Sequence, residues 1–246
     1  MLSIIIPCHN EQQRIGATLK RLIVFLKKNS SKLGAWNRHE IILVDDSSDS
    51  TIEIARKTCS KLGEKISVTH FKQRRGKGFA IKAGIARSRG DVLLYDADGS
   101  TPPKEILKLK KAFEEGADVA IGSRFLPGAS ARGQPLRRRI AGRGFNLLCR
   151  ILLGISFLDT QCGFKAVRKK VAKKLASLTQ SRGYSWDLEM LLHALEKGFI
   201  VKEVAIEWQH TPKGNIGAWP VQTTLELAGE LLRFKLAKKP ARATKA

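Results

Sequence analysis

Residues 91–100 read DVLLYDADGS, an apolar run that ends in two aspartates, Asp96 and Asp98, one residue apart. Carboxylates this close repel, and burying them in part without a counter-charge is costly. A cation therefore belongs beside them. An all-oxygen seat with no nearby His or Cys suits a hard divalent ion, Mg2+ or Mn2+, rather than zinc. Other chemistry-bearing residues recur along the chain: Pro7, Asn10 and Glu11 in PCHNE, Asp45 and Asp46 in LVDDSSD, Arg75 and Lys77 in RGKG, and Ser123 with Arg124 in GSR. Later come Asp159 in DTQCGFK and Asp187 in WDLEML. Arg124, Arg132, Arg137, Arg138, Arg139 and Arg143 gather around one loop, where guanidinium forks can hold phosphate oxygens or simply face solvent.

The elements that must position these groups alternate. LSIIIP precedes an amphipathic stretch from Glu11 to Lys28, EIILVDD precedes Ser50 to Leu62, and ISVTHF precedes a helix after RGKG. DVLLYD then precedes Pro103 to Glu114, and ADVAIGS follows. Short apolar strands separated by helices predict a Rossmann-like α/β layer, a parallel sheet covered on both faces. Ligands of such sheets bind beyond the carboxyl ends of the strands, which is where the polar motifs fall. Ser50 and Ser100 read equally well as helix caps.

Beyond Arg124 the pattern changes to a Gly- and Arg-rich loop, a helix near Gly142 to Leu153, the DTQCGFK segment, a helix from Val171 to Leu178, GYSWDLEMLLHALEKG, and a strand IVKEVAIEW. The expected organisation is one catalytic domain over 2–210, then an amphipathic tail helix, Thr223 to Lys239, and a basic terminus over 211–246. Trp186 and Met190 read as core, and the histidines, His9 included, as structural.

Bulk properties limit the function classes. The chain has 246 residues, 43% of them apolar, enough for one large core. No apolar run approaches the roughly 18 residues of a spanning helix, and no secretory leader is evident, so a chain that does not cross a membrane is expected. Four separated cysteines without a CxxC pair read as reduced intracellular thiols. With 45 Lys and Arg against 22 Asp and Glu, the net charge is +23, which attracts phosphate-rich partners or merely solvates the surface. A specific nucleic-acid binder is not expected, because no RRM-like or helix-turn-helix framework is present. A nucleotidyltransferase would need a Gly-rich basic loop after the first strand, and PCHNEQQ has none.

PCHNE, LVDDSSD, RGKG, DADG, GSR, DTQCGFK and WDLEML, in that order, resemble the inverting family 2 glycosyltransferases. Within them the pattern is similar to the polyprenyl-phosphate enzymes, the dolichyl-phosphate β-glucosyltransferases and dolichol-phosphate mannosyltransferases, from about Leu2 to Trp208. The resemblance implies a GT-A type sheet, mostly parallel, with helices on both faces. It implies hexose transfer from a nucleotide sugar to a polyprenyl or dolichyl phosphate with inversion, at the cytoplasmic face of a membrane. Asp98 would be the direct metal ligand, and Asp96 would contact the nucleotide, the metal or both. Asp45 and Asp46 would hydrogen-bond base and ribose, with Pro7, Asn10 and Glu11 as the pocket's first wall. Arg75 to Gly78 would form an anion site at a helix N-terminus. Arg124 and Arg137 would serve phosphate groups, and Asp159 and Asp187 would sit on the acceptor side, with Asp159 orienting sugar hydroxyls or acting as a base, or either of them capping a helix or pairing with an arginine. The mannosyl enzymes usually carry Gln where this chain has Ser100. DADG with DTQCGFK therefore places UDP-glucose ahead of GDP-mannose. A phosphate acceptor, with a second pKa near ~6, arrives anionic and needs no base, whereas a hydroxyl acceptor would need one. The tail ELLRFKLAKKPARATKA reads as an interfacial helix for an anionic membrane surface or as a helix packed on the domain.

Overall fold

The computed structural model describes residues 1–211 and positions 229, 233 and 234. Strand and helix alternate through the first half: β1 Leu2–Cys8, α1 Ile15–Lys28, the short α2 Ser30–Leu33, β2 His39–Asp45, α3 Thr51–Lys61, β3 Ile66–His70, α4 Lys77–Arg87, β4 Asp91–Leu94, α5 Ile106–Glu114 and β5 Val119–Ser123. The second half adds β6 Ser130–Arg132, α6 Leu136–Leu153, β7 Lys165–Val167, α7 Lys169–Leu178, α8 Trp186–Glu196, β8 Val201–Ala205 and β9 Glu207–Gln209.

Seven strands form one sheet in the order β3-β2-β1-β4-β7-β5-β8, and β6 pairs with β9 in a separate ribbon. The expected helices cover it on both sides. Successive residues of a strand point to opposite faces, so the unbroken run Ile4, Ile5, Ile6 supplies both layers. Ile4 and Ile6 join the cluster containing Leu19, Leu22 and Phe113, while Ile5 joins the one containing Ile81, Trp186 and Leu191. A strand buried on both faces has no reason to alternate polar and apolar residues, which is why these strands read as continuous apolar runs.

The sheet is mostly parallel, as expected, and its one antiparallel strand is β7, part of DTQCGFK and its continuation, which enters between β4 and β5. Two details depart from the sequence reading. The helix expected from Glu11 begins at Ile15, after a turn in which the Glu11 carbonyl accepts the N–H groups of Arg14 and Ile15. The helix expected from Gly142 begins at Leu136, so the arginines from 137 onward stand on α6 and not on a loop. The Thr223–Lys239 helix and the basic terminus lie outside the described residues, positions 229, 233 and 234 excepted. Among the described residues, no helix is long and apolar enough to cross a membrane.

Candidate active site

The carboxyl edges of β1, β2 and β4 bring five carboxylates to one rim: Glu11, Asp45, Asp46, Asp96 and Asp98. The field they create is visible in their neighbours. Burial first, and then the charges of Asp45, Glu11, Asp49 and Asp46, push the Cys8 thiol up. Burial and the charges of Asp98 and Asp96 outweigh Arg14 and hold Glu11 above the usual carboxylate range.

The two strand-two aspartates are bound differently. Asp45 is buried and already engaged, accepting the Ser47 hydroxyl at 2.5 Å, the Ser47 N–H at 3.1 Å and His70 Nδ1 at 2.9 Å. Asp46 meets His9 Nδ1 at 2.9 Å and accepts the Arg75 N–H at 2.7 Å. Pro7, next to last in β1, lies beside Val44, and Asn10 turns the chain out of the strand at φ 54°, the only positive φ outside glycine among the described residues. Ser47 and Ser48 hold that turn, accepting the Asn10 N–H at 2.7 Å and donating to Asn10 Oδ1 at 3.0 Å. Asn tolerates the left-handed region better than most residues, and strained backbone of this kind gathers at functional sites.

The counter-charge that the protein itself supplies to Asp96 is Lys77. Its ammonium lies 3.0 Å from Asp96 and 3.9 Å from Asp187. Asp187 in turn receives buried Lys165 at 2.6 Å, giving an alternating chain of charges Lys165, Asp187, Lys77, Asp96. Asp187 therefore pairs with two lysines, not with an arginine, and makes no cap for α8. The antiparallel entry of β7 explains how Lys165 arrives. Its first residue pairs with Leu94 and Ile121, at the end of the sheet where the parallel strands finish.

Glycines make this packing possible. A Cβ on Gly163 would sit 2.3 and 2.6 Å from the Asp96 carboxylate oxygens and 2.6 Å from Lys77 Nζ. At Gly76 and Gly78 it would meet the carbonyls of Arg182 and Ser181 at 2.6 and 2.7 Å. The RGKG glycines thus admit a protein turn, and the Phe79 N–H in the first turn of α4 donates to Arg182 O at 3.1 Å. The glycine faces of the motif are therefore occupied by the 181–183 turn. Glu189 fixes the turn by accepting the N–H groups of Gln180 and Ser181 at 2.9 and 2.8 Å. The Arg75 guanidinium faces the Phe79 ring at 5.4 Å and its backbone N–H reaches Asp46, whereas Lys77 reaches Asp96 with its side chain.

Arg124 and Asp159 form a second ion pair, whose guanidinium is near enough to Asp96 to lower its carboxyl. Asp159 is fully buried and accepts Arg124 Nε at 2.7 Å, Nη2 at 2.8 Å and the backbone N–H at 3.0 Å. The guanidinium also faces Trp208 at 5.5 Å and Phe125 at 5.6 Å. Glu203 holds the 158–159 turn by accepting the Leu158 and Asp159 N–H groups, and Asn146 of α6 accepts the Thr160 N–H at 2.9 Å. Arg132 is exposed in β6, Arg137 lies in the first turn of α6 with its side chain outside the described residues, and neither is brought to the carboxylate rim by a described contact.

Charge decides what this site can hold. Lys77, outweighing burial, keeps the Asp96 carboxyl below its usual range. Burial first and the Asp96 charge second hold Asp98 above its own. Asp98 accepts the Ser100 N–H at 2.8 Å. No group of three or more His, Cys, Asp or Glu converges as a metal cage among the described residues. Two carboxylates with surplus negative charge fit a hard divalent cation whose remaining ligands come from a phosphate-bearing molecule.

Sequence reasoning reached the rim but not its supports, Gly163, Lys165, Glu189, Glu203 and Asn146. Lys165, an ionic residue between Phe164 and Ala166, was the available signal, since a buried lysine requires a partner.

Comparison with known proteins gives a consistent picture. Residues 3–176 match the Glycosyl transferase family 2 model. The chain is 33% identical over 216 residues to a dolichyl-phosphate beta-glucosyltransferase of Drosophila melanogaster, with 84% of this chain and 66% of that one aligned. It is 31% identical to the Homo sapiens protein of that name (96% and 75%) and 32% identical to a polyprenol monophosphomannose synthase of Mycolicibacterium smegmatis (86% and 78%). The fold is shared with glucosyl-3-phosphoglycerate synthase from Mycobacterium tuberculosis, TM-score 0.66 at 19% identity over 98% of this chain and 81% of that one. In sequence, in motif order and in fold, the chain belongs to glycosyl transferase family 2.

Proposed function

We propose that this protein transfers a hexose, with inversion, from a nucleoside-diphosphate sugar to a polyprenyl or dolichyl phosphate, working peripherally at the cytoplasmic face of a membrane. The observation that carries the reading is the pairing of a five-carboxylate rim with the cations Lys77 and Arg124 in a protein of net charge +23. The names of the fly, human and mycobacterial relatives support the acceptor class, and those of the fly and human relatives support glucose. UDP-glucose is placed ahead of GDP-mannose.

Asp98, with Asp96, would hold Mg2+ or Mn2+, which supplies charge neutralisation to a departing diphosphate. Lys77 holds Asp96 in place and tempers the repulsion between the two carboxylates. Asn10, Glu11, Asp45 and Asp46 present acceptors to base and ribose, with Asp45 oriented by Ser47 and His70. Arg124, fixed by Asp159, presents positive charge beside the rim. Asp159 spends both oxygens on Arg124, which supports a positioning role rather than that of a free base. A phosphate nucleophile, already anionic, fits a site of this kind.

Incubation with a polyprenyl phosphate and a panel of labelled UDP- and GDP-sugars tests the proposal. Label should enter the lipid phosphate from one donor only, with β linkage by NMR. Label entering only hydroxyl acceptors, or an α-linked product, would refute it.

A further inference from the structure

Seven large apolar side chains are exposed among the described residues, and five of them stand on one helix. Leu136, Ile140, Leu147, Leu148 and Ile151 of α6 are 50 to 69% exposed. Positions 136, 140, 147 and 151 follow the spacing of a single helical stripe. Asn146, Cys149 and Leu153, on the other side of the same helix, are buried. The sequence LRRRIAGRGFNLLCRILL also carries five arginines and no acidic residue. Arg139, Arg143 and Arg150 are exposed beside the stripe. A depression of about 340 Å³ lined by Leu147, Arg150, Ile151, Gly154, Ile155 and Ser156 continues it.

We infer that α6 is an interfacial helix that docks the protein on an anionic lipid surface, its apolar stripe in the acyl boundary and its arginines on the headgroup phosphates. Apolar side chains flanked by cations and free of acids are complementary to an anionic bilayer. A second copy meets this face poorly. A two-fold contact is isologous and would set these arginines against their counterparts. The chain's own segment over 212–246, with seven Lys and Arg against two Glu, carries the same sign of charge. That segment is thus a poor occupant of the α6 face, which is left for lipid.

The position suits the proposed reaction, on which its functional meaning rests. Arg143 of α6 faces Phe125 at 5.6 Å, the ring that Arg124 also faces at 5.6 Å. Asn146 of the same helix holds Thr160 beside Asp159. A bilayer under α6 therefore lies at the Arg124 wall of the site, where a lipid-borne phosphate would enter.

The experiment uses the full chain, without donor or acceptor, and vesicles of phosphatidylcholine with or without phosphatidylglycerol. Ile140→Ser with Ile151→Ser should weaken co-sedimentation by about tenfold or more, because exposed apolar surface no longer enters the membrane. Arg139→Gln with Arg150→Gln should weaken it at low salt and have little effect at high salt, where screening has removed the attraction. Both pairs replace exposed residues and should leave the circular dichroism and melting temperature unchanged. On a short soluble polyprenyl phosphate both should turn over like wild type, while turnover on vesicle-embedded acceptor falls. Wild-type vesicle binding by the isoleucine pair overturns the inference. So does loss of binding only on truncation after Leu232, which assigns docking to the tail, or a dimer that the isoleucine pair dissociates without changing vesicle binding. Absence of transfer to any polyprenyl phosphate, with docking intact, would instead refute the proposed reaction.

Discussion

Replacing Asp98 with asparagine should make the protein more heat-stable and unable to respond to a divalent cation. Asp98 is half-buried, and the Ser100 N–H reaches it at 2.8 Å. Lys77 is committed to Asp96 at 3.0 Å and faces Asp187 at 3.9 Å. Burial first, and Asp96 second, hold the Asp98 carboxyl above its usual range. Such a group binds its proton more tightly folded than unfolded. Its stabilising contribution is complete below the unfolded value of about 3.9 and is lost as pH rises through the folded value. At neutral pH the ionised Asp98 therefore destabilises the cation-free fold. Relieving a cost of this kind at a functional site returns ~0.5–2 kcal/mol. For a chain of this length ~1 kcal/mol moves the melting midpoint by about 2–4 °C. Scanning calorimetry in EDTA should show Asp98→Asn melting higher by about that much at pH 7 and by nothing near pH 4. With Mn2+ and a nucleoside diphosphate at 100 times the dissociation constant, wild type should gain ~2.7 kcal/mol and the variant little. A lower midpoint for the variant in EDTA, or equal Mn2+ responses, would refute the metal seat at Asp98.

Lys77→Met strands Asp96 beside Asp98. Breaking a buried pair costs about 3–5 kcal/mol, and the 34% exposure of Asp96 reduces this to ~1–3 kcal/mol. Turnover should fall at least ~100-fold, and activity within a few-fold of wild type would remove Lys77 from the site. Gly163→Ala pushes a methyl into the Lys77–Asp96 pair, so kcat/KM should drop while circular dichroism stays unchanged; wild-type kinetics would show that the pair relocates freely. Arg124→Met and Asp159→Leu should each cost about 3–5 kcal/mol, because each leaves a buried charge alone. The double variant should cost less than the two singles together, and strictly additive losses in urea titrations would argue against the pair.

What the sequence determined by itself was periodic or chemically forced. Ile4 to Ile6 and Leu93 to Leu94 read as buried strands because both sheet faces are covered, and the aspartates after them read as a rim because parallel strands all finish at one edge. The repulsion between Asp96 and Asp98 was legible from their spacing, as was the need for a cation. Which cation answers them was not. Lys77 and Lys165 are 88 residues apart in number yet meet Asp187 between them, because β7 inserts antiparallel beside β4. A three-residue strand has too short a pattern to announce its direction. The RGKG glycines read as a place of close backbone approach, and only the fold shows that the 181–183 turn is what packs against them. The arginines at 137–139 looked like part of the loop because Gly133 and Pro135 stand just before them. Pro135 instead opens α6, and tertiary packing of Asn146, Cys149 and Leu153 buries one side of that helix and leaves the other side's leucines and isoleucines facing outward.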